Sequence, residues 1–424
     1  MSKSTDQLLT TANKQYGPIT RIGPKQVLLS DPEAIRKVLR VGTDFKRGPW
    51  FDTFQLSPGN MSIVAERDPQ RHKVIRHALN PSMSGQALSK METIIDRNVK
   101  EWIQFIEAKH ASQGHTYRPF DLSKSIKYLT LDAVVEASVG AKFSFFKSDS
   151  DPFGFLNQIE IGMMVQQFLS VFTELNGLKH WLAKIPTIRN NIFPHRSHKK
   201  GIGRFMAALH DAIDDKRYAR GKEDAHEFRM VDSWLSRGVT QEDAVYELVG
   251  LIGAGVIPSA NAVLGIILGI ISHPPVYMKL QREIDDLVAE GTQINFPIQD
   301  SVARQMPFLQ ACIFEGIRKF APIFFLLDRE VPTEGTYLNG YYLPSGTLVS
   351  LNMVAVQNDS IYGEDAEHYR PERWITTDQD HFKKMRRTVD LMFGDGSTKC
   401  LGIHFAYLEL NKIIFEVCAQ FPYQ

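Results

Sequence analysis

Apolar residues recur three and four positions apart over long stretches of this chain, at about 66–80, 87–109, 122–139, 153–175, 196–217, 240–272, 274–290 and 305–320. That spacing puts them on one side of an α-helix, so each stretch is predicted to be helical. Two short runs around Pro24, ITRIG and QVLLS, read instead as a hairpin. Ser30-Asp31-Pro32-Glu33 then has the form of a capping box, with Ser30 as the cap and Glu33 reaching back to its amide. After Pro322 the pattern changes. From Phe324 to Val356, runs of Leu, Val, Tyr and Thr are broken by Pro332, Gly335, Asn339-Gly340 and Pro344-Ser345-Gly346, which predicts hairpins. A loop is expected from about Asn358 to Gly402, and a last helix from Ile403 to about Ala419. No repeat, low-complexity tract or Pro/Ser/Gly linker divides the chain, so residues 1–424 read as a single mostly α domain with minor β structure.

One stretch is apolar all round. Leu248 to Ile271 carries no charge and is long enough to cross a bilayer. It also holds Pro258, Ser259, Asn261 and several glycines, and lacks basic or aromatic flanks, so it is expected to be a buried central helix rather than a membrane span. The polar opening MSKSTDQLLTTANKQYG has neither the apolar run of a signal peptide nor the Arg-rich pattern of a transit peptide, and the chain as given reads as soluble. Forty-nine basic against 48 acidic residues leave a net charge of +1, which gives no global field for nucleic acid or an anionic surface. The three cysteines, Cys312, Cys400 and Cys418, form no close pair, so neither a disulfide framework nor a cysteine-rich zinc site is available. A cysteine that does chemistry here acts alone.

Cys400 is the one whose surroundings suit chemistry. It ends the segment Phe393-Gly394-Asp395-Gly396-Ser397-Thr398-Lys399-Cys400 and is followed by Leu401-Gly402 and a helix. Turn amides and the positive end of that helix both favour a thiolate, the form that binds metal. Gly394 and Gly396 permit a tight turn, Gly402 removes a side chain where a flat cofactor would lie, and Phe393 shields the sulfur from water. These residues resemble the haem-binding loop of the cytochrome P450 family of haem-thiolate enzymes. Glu315-Gly316-Ile317-Arg318 resembles the family's Glu-x-x-Arg helix pair, and Tyr369-Arg370-Pro371-Glu372-Arg373-Trp374 its Pro-Glu-Arg-Trp segment. The likeness runs from about Tyr16 to Phe421 and is nearest to fungal secondary-metabolism members of the pisatin demethylase type, through YGPITRIGP, HPPVYMKLQREID and YGEDAEHYRPERW.

The resemblance implies the P450 fold, with its long central helix over haem b and Cys400 as the iron ligand. It implies that Glu315, Arg318 and Arg373 form a buried ion network bracing the Cys400 loop, and that His72, Arg76 and Arg329 meet the haem propionates. It implies a monooxygenase that takes electrons from NADPH through a flavoprotein reductase and inserts one oxygen atom into a small hydrophobic substrate, the thiolate favouring O–O cleavage. Members usually sit at the endoplasmic reticulum membrane, facing the cytoplasm. The basic group Lys383, Lys384, Arg386 and Arg387 is either a reductase-facing patch or a solvated loop. The substrate is expected near Trp50, Phe51 and Phe54, near Phe324, Phe325 and Leu326, and near Val256 and Ile257.

Departures from the pattern bear on the reaction. The family's central helix reads Ala-Gly-x-Asp/Glu-Thr, whereas this chain reads Ala254-Gly255-Val256-Ile257-Pro258-Ser259, without the acid and alcohol that relay protons. Pro258 is expected to kink or open the helix beside the haem, and Ser259 is the hydroxyl left to act as a relay. Alternatives to oxygen insertion are therefore radical coupling, cyclisation, desaturation or isomerisation, or a haem protein whose catalysis has decayed. Thr398 stands where an arginine usually meets a propionate, with Lys399 beside it. The chain begins near the first hairpin and ends soon after the last helix, so it is expected to lack the family's N-terminal anchor and closing β-hairpin.

Overall fold

The periodic stretches do form helices in the computed structural model, which describes residues 5–59, 62–112, 118–171, 173–215, 228–289 and 295–421. In chain order the main helices are α1 (Thr5–Tyr16), α2 (Pro32–Leu39), α3 (Pro69–Leu79), α4 (Gln86–His110), α5 (Leu122–Val139), α6 (Phe155–Val171), α7 (Thr173–Leu182) and α8 (Gly201–Asp214). They continue with α9 (Gln241–Ile271), α10 (Pro274–Ala289), α11 (Pro307–Lys319), α12 (Gln379–Val389) and α13 (Ile403–Gln420). The strands are β1 (Ile19–Gly23), β2 (Gln26–Leu29), β3 (Lys46–Arg47), β4 (Arg329–Glu330), β5 (Thr336–Leu338), β6 (Tyr341–Leu343) and β7 (Leu348–Leu351). The expected class, mostly α with minor β, is the one observed.

Some local expectations change. The cap of α2 is Asp31, not Ser30: Asp31 Oδ1 accepts from the Ala34 amide at 2.6 Å, and Glu33 pairs with Arg36 instead of reaching back. Pro32 takes the first helical position, where a missing N–H costs nothing. α1 forms within the opening that patterning left unassigned, and α12 forms inside the stretch expected to be loop, with Asp378 Oδ1 capping the amides of Asp380 and His381. α12 carries the basic group but turns Arg386 inward, over Phe314 and Tyr407 at 4.1 and 4.7 Å, while Lys383, Lys384 and Arg387 stay exposed. α9 runs through Pro258 without a break, so the helix does not open there. It is the one described helix long and apolar enough to cross a membrane, and 56% of its most apolar window is buried in the protein.

The chain forms two units, each built from separated stretches. The first comprises residues 1–46, 99–123 and 258–424. Its strands run in the order β1-β2-β7-β4; β2 pairs parallel with β7, Leu28 opposite Ser350, and β4 antiparallel with β7, while β5 and β6 make the hairpin expected across Asn339-Gly340. α11 packs against the end of α9 at a glycine, where a Cβ on Gly316 would meet Ile266 at 2.3 Å. The second unit comprises residues 47–98 and 124–257, with α5 buried along most of its length and Phe145, Phe153, Phe155 and Phe205 clustered beside it.

Candidate active site

The Cys400 loop lies wholly within the first unit, and its shape follows from two glycines. Gly394 and Gly396 have φ of +74° and +59°, in the left-handed region that side chains disfavour. A Cβ on Gly396 would lie 1.9 Å from the Leu39 carbonyl oxygen, so only glycine fits against the end of α2. The turn closes through the Cys400 amide, which donates to the Phe393 carbonyl at 2.7 Å. Phe393 packs on Tyr407 at 5.4 Å, which ties the loop to α13. Gly402 caps α13, and a Cβ there would meet nothing closer than the Cys400 sulfur at 3.9 Å.

The three cysteines separate as expected. Cys400 is exposed, whereas Cys312 and Cys418 are buried, and burial pushes the Cys312 thiol well up and the Cys418 thiol to about 12. Those two are inert at neutral pH.

Behind the loop stands the ion network. Arg318 forks onto Glu315 through Nε at 2.8 Å and Nη2 at 2.7 Å, and its Nη1 donates to the carbonyls of Gln357 and Ala366, both at 2.7 Å. Glu315 also accepts from Arg373 Nε at 3.1 Å, from the Trp374 indole N–H at 3.0 Å and from the Arg370 amide at 2.7 Å. Burial alone would raise the Glu315 carboxyl, but the Arg318 hydrogen bonds and charge, the Arg373 charge and the Arg370 amide outweigh it and hold it below its usual range. Two guanidinium forks thereby pin the segment from Gln357 to Trp374 to α11.

Arg329 is 6% exposed and donates to the carbonyls of Leu327 and Asp328 at 2.7 and 3.1 Å and to the Thr398 hydroxyl at 3.2 Å. Burial pulls its guanidinium down to about 10 despite the charge of Asp328, so a further anion there would be welcome. His72 (5% exposed) and Arg76 lie one turn apart on α3 in the second unit. Trp50 (7%) and Phe51 (4%) are also in that unit, packed edge to face at 5.0 Å. Val256 is buried at 1%, Ile257 and Phe325 are half-buried, and Phe324 is 50% exposed.

α9 is closely covered on either side of its middle, and loosens from 253 to 259: Ala254 is exposed, while Gly255, Ile257, Pro258 and Ser259 are half-buried. The Ser259 hydroxyl bonds to the carboxyl of Glu409 on α13, which burial raises to about 8. Sequence reasoning missed Glu409, although a lone acid between Leu408 and Leu410, on a helix apolar at Tyr407, Ile413 and Ile414, was a visible irregularity.

Among the described residues no three His, Cys, Asp or Glu side chains converge to hold a metal ion. A mostly helical fold with an exposed thiol just before its last helix is the arrangement that the resemblance to haem-thiolate oxidoreductases implies. The chain belongs to the cytochrome P450 family, whose sequence pattern matches residues 2–423. It is 30% identical over 412 residues to the cytochrome P450 monooxygenase abl1 of Leptosphaeria maculans, covering 96% of this chain and 71% of that protein. It is 30% identical over 420 residues to the cytochrome P450 monooxygenase aba1 of Botryotinia fuckeliana, covering 97% and 80%, and 25% identical over 434 residues to the pisatin demethylase of Fusarium vanettenii, covering 98% and 78%. The family implies haem iron. The residues present fit that group: an exposed thiol, a side-chain-free Gly402 beside it, and a buried Arg329 bonded to the thiol's loop at Thr398.

Proposed function

We propose that this chain is a monooxygenase of fungal secondary metabolism that oxidises a small hydrophobic molecule, with electrons passed from NADPH through a flavoprotein reductase. The exposed Cys400 thiol on a braced loop, beside two buried and inert cysteines, is the observation that carries the reading. Haem bound there supplies dioxygen activation. Cys400 would ligate the iron from the turn that Phe393 and Gly394 shape, Gly402 would leave room for the ring, and His72, Arg76 and Arg329 would hold the propionates. Ala254 and Gly255 give the central helix an open face, and Ser259 supplies the hydroxyl nearest to it. Ile257, Phe324 and Phe325, with Trp50, Phe51 and Val256, are the residues assigned to the substrate. Residues 1–424 act as one catalytic domain, which the family match over 2–423 supports. The exposed Lys383, Lys384 and Arg387 face the reductase, and the enzyme works at the cytoplasmic face of the endoplasmic reticulum.

Ile257 and Pro258 favour a second reading, in which the same site couples, cyclises, desaturates or isomerises without inserting oxygen. The reduced protein with carbon monoxide should give the red-shifted band of thiolate ligation, and Cys400→Ala should lose it. Labelled dioxygen then separates the readings: label in the product supports the monooxygenase, and its absence from product made by a competent enzyme supports the second.

A further inference from the structure

In the second unit a carboxyl of the central helix holds a backbone turn. Glu247 on α9 is 4% exposed, and both of its oxygens lie 2.9–3.0 Å from the Ile63 amide, in a turn at residues 62–66. α9 carries no side chain where that turn arrives: a Cβ on Gly250 would meet the Ser62 hydroxyl oxygen at 2.7 Å. Ser62, Ile63, Ala65 and Glu66 are all buried, so the turn is seated in the unit rather than laid on its surface. Its carbonyls go to a different partner. Arg47, at the end of β3, donates through Nη1 to the carbonyls of Ile63, Val64 and Glu66 at 2.7, 3.1 and 2.9 Å. The same guanidinium lies 4.7 Å from the centre of the Phe51 ring, and Arg67 donates both to the Arg47 carbonyl at 3.0 Å and to Asp52 at 2.6 Å. The turn 62–66 and the short helical turn Pro49–Phe54, which carries Trp50 and Phe51, are therefore fastened together through Arg47.

We propose that Glu247 and Arg47 are positioning residues for the substrate, latching the turn 62–66 and the aromatic turn Pro49–Phe54 to the central helix as one unit that shuts by taking up a proton on Glu247. The proposal rests on the assignment of Trp50 and Phe51 to the substrate above. Burial raises the Glu247 carboxyl to about 8 against the Ile63 hydrogen bond, and the charges that act on it, Asp243 one turn back on α9 and Glu66 in the turn itself, are both negative. The cations about the turn are engaged, Arg47 by its carbonyls and Arg71 of α3 by Glu66 at 3.5 Å. Seated, Glu247 therefore keeps its proton at neutral pH. Released from the turn into water, it titrates near the ordinary 4.5 and gives that proton to the solvent, the O–H being the one covalent bond that breaks. The closed form thus holds a proton that the open form lacks, so closure weakens as pH rises between those two values. A substrate packed on Trp50 and Phe51 binds the closed form and tightens the latch.

Amide hydrogen exchange on the haem-loaded protein tests this, read as protection relative to the intrinsic rate at each pH. Protection of residues 49–54 and 62–66 should fall together, about tenfold for each pH unit between about 5 and 7. Glu247→Gln, which keeps an acceptor for the Ile63 amide and cannot ionise, should remove that slope from both segments. Gly250→Ala, whose methyl pushes on Ser62, should lower the protection of both at every pH. 4-Phenylpyridine, an apolar ring carried on a nitrogen that ligates iron, should raise the protection of both about 100-fold when present at about 100 times its dissociation constant. A slope that survives Glu247→Gln, or one confined to residues 62–66, would overturn the latch. Protection untouched by bound 4-phenylpyridine would overturn its role toward the substrate. Failure of the haem-thiolate reading would show differently, as the absence of a nitrogen-ligation spectrum with 4-phenylpyridine while the pH dependence of exchange remained.

Discussion

The Arg329 guanidinium donates to the Thr398 hydroxyl across 3.2 Å, so the strand β4 and the Cys400 loop share a hydrogen bond. The family usually has an arginine where Thr398 stands, and two guanidinium groups this close would repel. Here a neutral acceptor stands beside the Arg329 guanidinium. Thr398→Val removes one hydrogen bond from a charged donor, about 1.5 kcal/mol. The expected result is haem loss to an apo-globin acceptor about tenfold faster, with the thiolate spectrum unchanged. A rate equal to that of the parent would show that Arg329 does not depend on Thr398.

Glu315 is the anion of the buried network, and Glu315→Gln leaves Arg318 and Arg373 short of charge. Breaking a buried pair in this way costs about 3–5 kcal/mol, readable as a fall in the denaturation midpoint. The pH dependence has a definite sign. Because the folded carboxyl titrates below its ordinary value, its contribution is complete above about 4.3 and is lost as pH falls through the lower folded value. Glu315→Gln should therefore flatten the acid limb of the stability curve.

Much of this site is legible in sequence because its parts are local. The turn Gly394–Gly396, the thiol and the cap at Gly402 lie within nine positions of one another, and Glu315 and Arg318 lie one helical turn apart. α5 was legible to the residue, since a continuous apolar pattern leaves no other solution. What escaped depends on partners distant in sequence. Gly396 is fixed by the carbonyl of Leu39, Glu409 is defined by Ser259, and the inward turn of Arg386 is set by Phe314 and Tyr407. α12 was missed for a different reason: six of its residues, from Asp380 through Arg387, are charged or basic, and its few apolar positions are too sparse for periodicity to register.

The two glycines around the thiol should fail differently. In Gly396→Ala the new methyl would strike the Leu39 carbonyl oxygen at 1.9 Å, and φ of +59° is strained for alanine in addition. The loop must shift, so the variant should fold with a lower melting temperature and take up haem poorly. Gly402→Ala meets only the Cys400 sulfur, at 3.9 Å, so its stability should stay within about 0.5 kcal/mol of the parent. Its methyl would touch the ligating sulfur, and the carbon monoxide band should shift. Equal melting temperatures for the two variants would contradict the close approach to Leu39.

Exposure makes the thiols chemically distinguishable. In haem-free protein, maleimide should label Cys400 rapidly, whereas Cys312 and Cys418, buried and made weaker acids by that burial, should react only on unfolding. Peptide mass spectrometry reads this directly. Reconstitution with haem should protect Cys400 and leave the other two unchanged; labelling of Cys400 at an undiminished rate would remove it as the ligand.

Two buried carboxyls set the pH limit of the fold on the alkaline side. Glu247 takes the Ile63 amide at 2.9–3.0 Å on both oxygens, and Glu409 the Ser259 hydroxyl; burial carries each from the ordinary 4.5 to about 8. For Glu247 the charges of Asp243 and Glu66 push the same way, against the Ile63 amide. A carboxyl raised in the folded chain keeps its proton where the unfolded chain has lost it, so folding takes up a proton and stability falls as pH rises between those values. The slope is about 1.4 kcal/mol per pH unit for each group. Urea denaturation at about pH 5 and pH 8 should therefore show lower stability at the higher pH. Glu247→Gln and Glu409→Gln should each remove a large part of the loss, since glutamine keeps the shape and cannot ionise, with Asp132, raised to about 6, contributing to the remainder. A parent protein equally stable at both ends would mean that neither carboxyl is held protonated by the fold.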